Sequence, residues 1–509
     1  MKSNRHILTW KNVHKWIGLV LTVFLLLFCL SGLVLNHRGL FASCSVSRSI
    51  LPEAYHIRNF NNGIIKGTIP FSADKVLAYG NAGVWLADRK LASISDFNDG
   101  LPEGADNRNV RNIVRTSDGT LWCAAQFGLY RLDGGSWTKM ALPGNDERIA
   151  DVTLTPDSAG VVAMTRSAIY RMSGDGFQRQ ELSPLEGQAD KVSLFKTIWH
   201  LHSGDLFGIT GKIIVDIIAI VIIFLCLTGI VLFVLPYSIR KGAKAKAASK
   251  AKTLKWNFRW HNKAGYYTIV LTLLIAVTGA CLRPPLMIPF VMVKTAPLPG
   301  STLDSDNAWH DKLRGIRWDA TKGNWLISTS DGFIRADRDF TGQPHRVDSK
   351  TTPPVSPMGI NVFEHAGDGK WLIGSFSGLY VWDPSDGAVT DYFTGAPYTP
   401  SRGGRPAVAS HLVSGYSSDL ACGPAVFDYA RGADPRLDMP QVLAEQPMSL
   451  WNFALELHVG RCYSPFLGPL SDLFVFLSGI ILTIVLISGL IIHNRISRKK
   501  RITRKQYKQ

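Results

Sequence analysis

Four long runs of apolar residues constrain what this chain can fold into more than any other feature of its sequence. They cover 16–35, 213–237, 264–282 and 473–492, and only the second contains a charged residue, Asp216. A helix needs about 20 apolar residues to cross a hydrocarbon core of about 30 Å. The sequence therefore predicts four membrane-spanning helices. An apolar core helix of a soluble domain is the alternative for any single run.

The basic residues are concentrated in three short segments beside these runs. Residues 1–15, 237–263 and 493–509 contain 4, 9 and 8 Lys and Arg, and they contain no Asp or Glu. Positively charged flanks favour the cytoplasmic side, which predicts that both termini and the middle segment are cytoplasmic. The net charge of +17 is then a topology signal directed at membrane lipid, and it predicts no nucleic-acid partner.

The first and third spans carry the same motif. The first reads His14-Lys-Trp-Ile-Gly and ends in Ser-Gly32, while the third reads His261-Asn-Lys-Ala-Gly and ends in Thr-Gly279. The distance from the histidine to the distal glycine is 18 positions in both. Such self-similarity predicts an internal duplication.

The second and fourth spans are also related. Each follows a Leu-His-x-Gly element, with His202 before the second span and His458 before the fourth. Asp216 and Asp472 each follow the corresponding histidine by 14 positions. The chain is therefore interpreted as two copies of one unit, in which a span, an external domain, Leu-His-x-Gly and a second span follow one another.

The two external segments contain a shorter repeat of a strand, a glycine turn and an aromatic-rich strand. Its anchors Trp85, Trp122 and Val162 are 37 and 40 positions apart, and Trp325 lies 46 positions before Trp371. These periods are typical of propeller blades of about 40–50 residues.

A weak sixth unit in 407–429 gives three units to each external segment. We expect the two halves to close into one ring, with separate β-domains as the alternative. The predicted fold class is thus a membrane α-helical bundle of four spans plus an extracytoplasmic all-β, propeller-like domain built from two insertions.

These patterns divide the chain into alternating cytoplasmic, membrane and periplasmic segments. The predicted segments are a cytoplasmic N-terminus 1–15, first span 16–37, first propeller-like half 38–198, Leu-His-x-Gly segment and second span 199–237, basic cytoplasmic loop 238–260, third span 261–282, second propeller-like half 283–450, Leu-His-x-Gly segment and fourth span 451–493, and basic cytoplasmic tail 494–509.

Four histidines at symmetric places are the strongest candidates for chemistry. His14 and His261 stand at the cytoplasmic starts of the first and third spans, and His202 and His458 precede the second and fourth. A haem needs two axial nitrogens that face one another across a bundle. The duplication predicts an inner pair, His14 with His261, and an outer pair, His202 with His458. An interfacial histidine without a ligand is the alternative at each position.

One difficulty lies in the second span. From His202 to Pro236 a straight helix would run about 51 Å, which exceeds the thickness of a membrane. We therefore expect this helix to project outward or to break, and Gly208 or Gly211 are the expected break points.

These elements resemble a known family. The H-x-x-x-G and L-H-x-G motifs, each followed by an apolar span that ends in [ST]-G, are similar to the PepSY-associated transmembrane family of bacterial inner-membrane proteins, which includes siderophore-iron reductases. The resemblance implies a four-helix module with two b-type haems that passes electrons outward, for example to ferric iron held by a siderophore. It also implies that the haem-iron ligands are His14, His202, His261 and His458. Propeller-like repeats replace the PepSY domain outside the membrane, so the resemblance does not extend to the substrate.

The electron donor is constrained by the short cytoplasmic segments, which cannot contain a βαβ nucleotide-binding unit of 30 or more residues. The remaining donors are membrane quinol or a redox partner protein. A quinol site lined by Trp256, Trp260, Tyr266 and Tyr267 is one interpretation of the aromatic residues near the inner face. An aromatic interface belt is the other.

The two aspartates that follow the outer histidines are also open to two readings. Asp216 and Asp472 either interact with the dipole of a helix N-terminus or belong to a proton relay. No nucleophile–base constellation is present, so no catalytic side chain is assigned.

Together the sequence predicts a dihaem electron-transfer protein of the bacterial inner membrane, in the role of a ferric-siderophore or metal reductase. The alternative function is a non-enzymatic sensor or an iron or haem uptake accessory protein, in which the propeller binds a periplasmic ligand. Only the first function requires all four histidines, because only it needs two haems.

Overall fold

The computed structural model describes residues 2–144, 148–188, 190–241, 244–356, 358–399 and 410–506 of the chain. These residues form two compact units, each assembled from separate stretches of sequence. A helical unit contains Met1–Phe41, Asp190–Asp304 and Trp451–Gln509, and a β unit contains Ala42–Ala189 and Ser305–Leu450.

The α-helices vary from one turn to ten turns in length. They are α1 Lys2–Asn36, α2 Leu194–Ser203, α3 Gly208–Lys241, α4 Lys244–Tyr267, α5 Ile269–Cys281, α6 Met287–Met292, α7 Gln441–Ala444, α8 Leu450–His458, α9 Ser464–Leu467 and α10 Leu470–Gln506. Short 3₁₀ turns lie at Arg48–Ile50, Glu53–Tyr55, Asp205–Phe207, Ser349–Thr351 and Arg461–Tyr463.

Three of the helical segments are long and apolar enough to cross a membrane: Thr9–Asn36, Asp205–Arg240 and Leu470–Arg498. The pair α4 and α5 supplies a fourth crossing if the two helices are counted as one bent span. The predicted membrane bundle is confirmed as three continuous apolar helices and one bent pair. Helix α1 packs on α3 and α10, and α10 also packs on α5.

The centre of the helical unit is a cluster of buried apolar side chains drawn from α1, α3, α5 and α10. Its members are Leu21, Leu25, Cys29, Ile218, Ile222, Cys226, Ala276 and Leu482. Most other apolar side chains of these helices are partly or fully exposed, as expected for surfaces that contact lipid.

The third predicted span, 261–282, is bent by 67° between α4 and α5, and no feature of the sequence predicted this bend. The bend lies at Thr268, where the hydroxyl donates to the Ala264 carbonyl at 2.8 Å. One turn later, the Thr272 hydroxyl donates to the Thr268 carbonyl at 3.1 Å. Threonine hydroxyls that bond back to the preceding turn compete with backbone hydrogen bonds and bend helices.

The segment expected as a basic loop is helical in its described part. Helix α3 continues to Lys241, and α4 begins at Lys244 and contains the run Lys-Ala-Lys-Ala-Ala. Alanine and lysine are both strong helix formers. The basic composition of this segment therefore predicted its side of the membrane but not its helical structure.

The strands are short and almost all belong to antiparallel meanders. They are β1 Ser45–Val46, β2 Gly67–Pro70, β3 Lys75–Gly80, β4 Gly83–Asp88, β5 Ile94–Asp96, β6 Val110–Arg115, β7 Leu121–Ala125, β8 Gly128–Asp133, β9 Ser136–Met140, β10 Ile149–Leu154, β11 Val161–Thr165, β12 Ile169–Ser173, β13 Gly176–Gln180, β14 Val192–Ser193, β15 Lys294–Thr295, β16 Leu313–Asp319, β17 Asn324–Thr329, β18 Gly332–Ala336, β19 His345–Arg346, β20 Val362–Gly367, β21 Lys370–Ser375, β22 Gly378–Asp383, β23 Ala388–Asp391, β24 Val413–Ser417, β25 Ala425–Asp428, β26 Gly432–Asp434 and β27 Met448–Ser449.

The larger sheets follow chain order, with each strand beside the next. We number them sheet 1 (β2–β5), sheet 2 (β6–β9), sheet 3 (β10–β13), sheet 4 (β16–β19), sheet 5 (β20–β23) and sheet 6 (β24–β26). Two further strand pairs join β1 with β27 and β14 with β15. Sheet 6 contains most of the weak sixth unit expected from the sequence, and residues 407–409 of that unit lie outside the described residues.

The second strand of a sheet is buried on both faces because another sheet packs against each side. In β7, Leu121 and Cys123 join a cluster with sheet 1, while Trp122 and Ala124 join a cluster with sheet 3. Such a strand reads as a continuous apolar run rather than an alternating one. Shared clusters also connect sheet 3 with 4, 4 with 5, 5 with 6, and 6 with 1.

One of the expected repeat spacings joins strands that are not equivalent. Trp85 lies in β4, the third strand of sheet 1, whereas Trp122 lies in β7, the second strand of sheet 2. The equivalent third strands begin at Gly83 and Gly128, 45 positions apart. The error arose because either buried strand of the hairpin can carry the large aromatic side chain.

Candidate functional site

The four symmetric histidines form two pairs within the helical unit. The ring centroids of His14 and His261 are 6.2 Å apart, and those of His202 and His458 are 6.1 Å apart. These are the inner and outer pairs that the duplication predicted. Neither pair is made within one helix, so each depends on the packing of the bundle.

Each inner histidine is held by a hydroxyl group of a neighbouring helix. The Nδ1 atom of His14 lies 3.0 Å from the Ser488 hydroxyl and 3.0 Å from the Val485 carbonyl. The Nδ1 atom of His261 lies 2.9 Å from the Thr228 hydroxyl. Both rings are therefore fixed through the same nitrogen.

The outer histidines repeat this arrangement. The Nδ1 atom of His202 lies 3.0 Å from the Thr278 hydroxyl. The Nδ1 atom of His458 lies 3.0 Å from the Ser31 hydroxyl and 3.0 Å from the Phe28 carbonyl. In each case the hydroxyl group belongs to the other half of the chain from the histidine. The first and fourth spans supply hydroxyl groups to each other's histidines, and the second and third spans do the same.

The hydroxyl partners determine which ring nitrogen carries the proton. The Thr228 and Thr278 hydroxyls each donate their only hydrogen to a carbonyl of their own helix, at 2.7 Å. Ser31 does the same to Leu27, at 2.7 Å. A hydroxyl that has given its hydrogen away can only accept from the ring, so Nδ1 is protonated. The Nε2 atom then carries the lone pair, which is the form that binds a metal.

A glycine follows each of these hydroxyl residues and makes room for the ring. A Cβ atom on Gly279 would lie 3.0 Å from Cε1 of His202, and one on Gly489 would lie 3.1 Å from Cε1 of His14. The corresponding distance at Gly32 is 3.3 Å, and at Gly229 it is 3.8 Å. The [ST]-G dipeptides were visible in the sequence, but the histidine that each one serves was not.

A helical break brings the outer histidines into the bundle. Helix α2 ends one residue after His202, and Gly204 caps it with a φ of 81°. A Cβ atom at Gly204 would lie 2.3 Å from the Gly211 carbonyl oxygen, so the chain turns back very tightly here. Gly460 takes the same conformation after His458, with a φ of 85°.

The break runs from Gly204, the glycine of the Leu-His-x-Gly motif, to Gly208, which has a φ of 60° and is one of the two expected positions. Helix α3 starts at Gly208 and continues through Gly211. The expected break at Gly208 is confirmed. Its start at Gly204 was not predicted, because a helix length alone indicates that a break is needed and does not locate it.

The spacing of each pair matches two imidazoles on one metal ion. A bond between a metal and an imidazole nitrogen is about 2 Å, which places the two ring centres about 6 Å apart. Within the described residues, no group of three or more His, Cys, Asp or Glu side chains is arranged to hold a metal ion. A haem requires only two axial ligands from the protein, so the donor set fits haem better than a bare ion.

The two pairs lie at opposite ends of α1. His14 belongs to the inner pair, and Gly32, which contacts His458 of the outer pair, lies 18 residues further along this helix. At 1.5 Å per residue this separation is about 27 Å, close to the thickness of a hydrocarbon core.

Asp216 and Asp472 each connect two helices. Asp216 lies beyond the first turn of α3 and accepts from His37 Nε2 at 2.7 Å and from Asn36 Nδ2 at 3.1 Å. Asp472 lies in the first turn of α10 and pairs with Arg283. The helix-dipole interpretation therefore applies only to Asp472. Counted from the matched glycines Gly32 and Gly279, Arg283 holds the position of Asn36, which donates to Asp216 in the first copy.

The four aromatic residues near the inner face are largely exposed on α4. Trp256 and Trp260 have ring centroids 6.3 Å apart, and Tyr266 stacks on His493 at 4.3 Å. Tyr267 is 79% exposed. Exposed aromatic side chains at the end of a membrane span are typical of an interface belt.

These features define a multi-pass membrane protein with a separate β unit. The sequence matches the PepSY-associated TM region over residues 2–235 and again over 137–493. The chain belongs to this family, which confirms the resemblance found in its motifs. No curated protein matches the sequence significantly.

Similar solved structures come from Bacteroides thetaiotaomicron. An extracellular domain assigned to a hybrid two-component system is 12% identical, with a TM-score of 0.34, and the match covers 72% of this chain and 32% of that one. A second such domain is 11% identical, with a TM-score of 0.21 and coverages of 74% and 39%. A protein of unknown function is 12% identical, with a TM-score of 0.36 and coverages of 75% and 73%. This chain thus spans about a third of the length of the first relative, and scores this low carry no argument about function.

Proposed function

We propose that this protein is a b-type dihaem electron-transfer protein of the bacterial inner membrane. The observation that carries the proposal is the pairing of four histidines, with ring centroids 6.1 and 6.2 Å apart. In each pair both Nδ1 atoms are hydrogen-bonded to hydroxyl groups of neighbouring helices. Two imidazoles at this spacing, each with Nδ1 engaged and Nε2 left for a metal, would supply the two protein ligands of one b-type haem.

His14 and His261 would hold one haem, and His202 and His458 would hold the other. When bound, the two haems supply one-electron transfer between the two ends of the bundle. The chain itself contributes the orientation of the rings, because Ser31, Thr228, Thr278 and Ser488 fix Nδ1. These hydroxyl groups strengthen each imidazole as a ligand, in the manner of other residues that support a metal ligand.

The direction of transfer follows from the charge pattern. We place both termini and the basic segment 237–263 in the cytoplasm and the β unit in the periplasm, since Lys and Arg are retained inside. Membrane quinol or a redox partner then supplies electrons at the inner pair, near Trp256 and Trp260. A ferric siderophore or another oxidised metal complex receives electrons on the periplasmic side.

We also propose that sheets 1–6 are the blades of one closed propeller. Support comes from sheet 1 and sheet 6, which are the first and the last in sequence. These two sheets share a buried cluster and are joined by hydrogen bonds. The Thr68 hydroxyl lies 2.6 Å from the Ser417 hydroxyl, and the Tyr416 amide donates to the Lys66 carbonyl at 3.0 Å. A disulfide formed in the Thr68→Cys, Ser417→Cys double variant under mild oxidation supports closure, and its failure to form contradicts it.

Electron transfer is tested with the purified protein in detergent. A reduced quinol analogue should reduce both haems, and a ferric hydroxamate complex should then reoxidise them. The variant with His202→Leu and His458→Leu should retain reduction of the inner haem and lose rapid reoxidation by the ferric complex. Reoxidation at the wild-type rate in this variant would contradict the proposed path.

A further inference from the structure

The β unit contains a polar cleft to which every large sheet contributes. The empty space inside the cleft is about 890 Å³, and this figure includes open solvent at its mouth. Residues of the first strand of each sheet, or next to it, line the cleft. They include Lys66, Asn112, Asp151, Arg317, Glu364 and Tyr416. We call this space the basic cleft.

The name reflects an excess of positive charge in its lining. Six cationic side chains line the cleft, against the two carboxylates Asp151 and Glu364. The cations are Lys66, Arg111, Arg148, Arg166, Arg314 and Arg317. Outside the three basic segments near the membrane, the chain has 35 Lys and Arg and 39 Asp and Glu. The cluster is therefore a local concentration that composition does not explain.

Structural ion pairs hold Arg317 and Arg166 in the wall of the cleft. Arg317 Nη1 lies 2.6 Å from Asp151 Oδ2, and Arg166 Nε lies 2.6 Å from Asp311 Oδ1. Asp151 also accepts from the Ile316 amide at 3.0 Å, so it joins sheet 3 to sheet 4. With Asp311 included, the side chains around the cleft still have more positive than negative charges.

The remaining carboxylate offsets little of this excess. Burial raises the pKa of Glu364, an effect that Arg317 opposes and that Asp151 and Asp419 reinforce. A carboxyl group with a raised pKa is less readily ionised. The raised pKa of Glu364 therefore reduces the negative charge that this carboxyl group sets against the arginines of the cleft.

The cations also act on one another. Burial lowers the pKa of Arg314 to about 10; Arg166 and Arg148 contribute in the same direction, and Asp311 and Asp331 oppose the shift. Burial, together with Arg111, lowers the pKa of Lys66 well below its usual range. A bound anion would replace lost hydration and reduce the repulsion between like charges.

Two of the arginines occupy the same place in the repeated sheet. The strand register shifts between Val110 and Asn112 in sheet 2 and between Leu313 and Gly315 in sheet 4. The intervening residues are Arg111 and Arg314, and both line the cleft. An irregularity of this kind, like a β-bulge, changes the direction in which the side chain of the extra residue points. Lys66 lies next to the start of the first strand of sheet 1.

From this geometry we propose that the basic cleft binds a small organic or inorganic oxyanion that carries several negative charges on carboxylate or phosphate groups. Guanidinium groups present paired donors that match both kinds of oxyanion. The tyrosine and amide side chains of Tyr79, Tyr416 and Asn361 add polar contacts around the same space. The inference does not depend on haem, and it goes beyond the proposed electron transfer.

Calorimetric titration of the full chain in detergent tests this site, with citrate and inorganic phosphate as the two probes. We expect saturable one-to-one binding that weakens when the salt concentration rises from about 50 to about 500 mM, because salt screens the attraction. Tighter binding of citrate identifies the natural ligand as a polycarboxylate. Tighter binding of phosphate identifies it as a phosphate-bearing compound.

Variants of two different sheets locate the binding. Arg111→Gln and Arg314→Gln should each weaken the preferred probe about tenfold. Arg346→Gln is the matched control, because Arg346 is an exposed residue of β19 and should leave the affinity unchanged. The proposal is overturned if neither probe saturates by about 10 mM, or if folded Arg111→Gln and Arg314→Gln proteins bind as tightly as the wild type.

Discussion

A hydroxyl group of a neighbouring helix contacts Nδ1 of each paired histidine and helps to fix the orientation of the ring. Thr278 illustrates this, since its hydroxyl donates to Leu274 and accepts from Nδ1 of His202. Supporting residues of this kind change metal affinity by about 10-fold to 100-fold when they are removed. At the residue scale, the proposed haem binding therefore depends on side chains that would not contact the iron themselves.

Replacing Thr278 with valine tests this dependence. Thr278→Val keeps the shape and removes the hydroxyl, so we expect weaker haem binding at the outer pair and a changed midpoint potential. Thr278→Ser keeps the hydroxyl and should behave like the wild type. A redox titration of both variants separates the two effects, and equal potentials in all three proteins would rule out the role of the hydroxyl.

The glycines beside the histidines provide a graded steric test. A Cβ atom at Gly279 would lie 3.0 Å from His202, whereas one at Gly229 would lie 3.8 Å from His261. The first distance requires the ring to move, and the second is an ordinary contact. We expect Gly279→Ala to reduce the haem content of the outer pair and Gly229→Ala to preserve that of the inner pair. Haem-to-protein ratios measure both, and equal losses would contradict the steric account.

The pairing of these histidines could be predicted from sequence, but their partners could not. Equal spacings of 18 positions placed His14 and His261 at one level and indicated the duplication. The exchange of [ST]-G dipeptides between the first and fourth spans depends on which helices are neighbours. Short motifs contain no information about that choice, because each dipeptide fits any of the four rings.

At the element scale, the turn after each outer histidine is the critical feature. Gly204 has a φ of 81°, and its Cα approaches the Gly211 carbonyl so closely that a Cβ would lie 2.3 Å away. A non-glycine residue is strained in this conformation. The hairpin between α2 and α3 thus requires glycine at this position.

Gly204→Ala should destabilise the helical unit by about 1–3 kcal/mol or more and displace His202 from the bundle. The expected results are a lower melting temperature in detergent and a loss of outer haem. Gly39→Ala is the matched control, because no atom lies within 4 Å of its added Cβ. An unchanged melting temperature and haem content in Gly204→Ala would show that the turn tolerates a side chain.

The sequence predicted those helices and strands whose apolar residues form one continuous run or one regular repeat. The apolar runs predicted the membrane helices, and the strand–turn–strand pattern predicted antiparallel hairpins. The bend at Thr268 was not predictable, because it arises from hydroxyl-to-carbonyl bonds within an otherwise regular apolar run. The mismatch of Trp85 with Trp122 shows a related limit, since aromatic residues occupy both strands of a hairpin.

At the scale of the whole molecule, the account requires the β unit to lie outside the cytoplasm. Two thiols in this unit, Cys44 and Cys422, are exposed, and Cys123 is buried. A membrane-impermeant maleimide should label intact spheroplasts at the first two positions only. The Cys44→Ser, Cys422→Ser double variant should lose the label. Strong labelling that requires permeabilised membranes would reverse the proposed orientation.

The central claim is that each histidine pair binds one haem, and the most direct measurement is the haem-to-protein ratio with a reduced-minus-oxidised optical spectrum. Purified wild-type protein should show a b-type spectrum and two haems per chain. The His14→Leu, His261→Leu variant and the His202→Leu, His458→Leu variant should each retain one haem while remaining folded. Wild-type protein without haem from haem-replete cells, or two haems retained in either variant, would contradict the account.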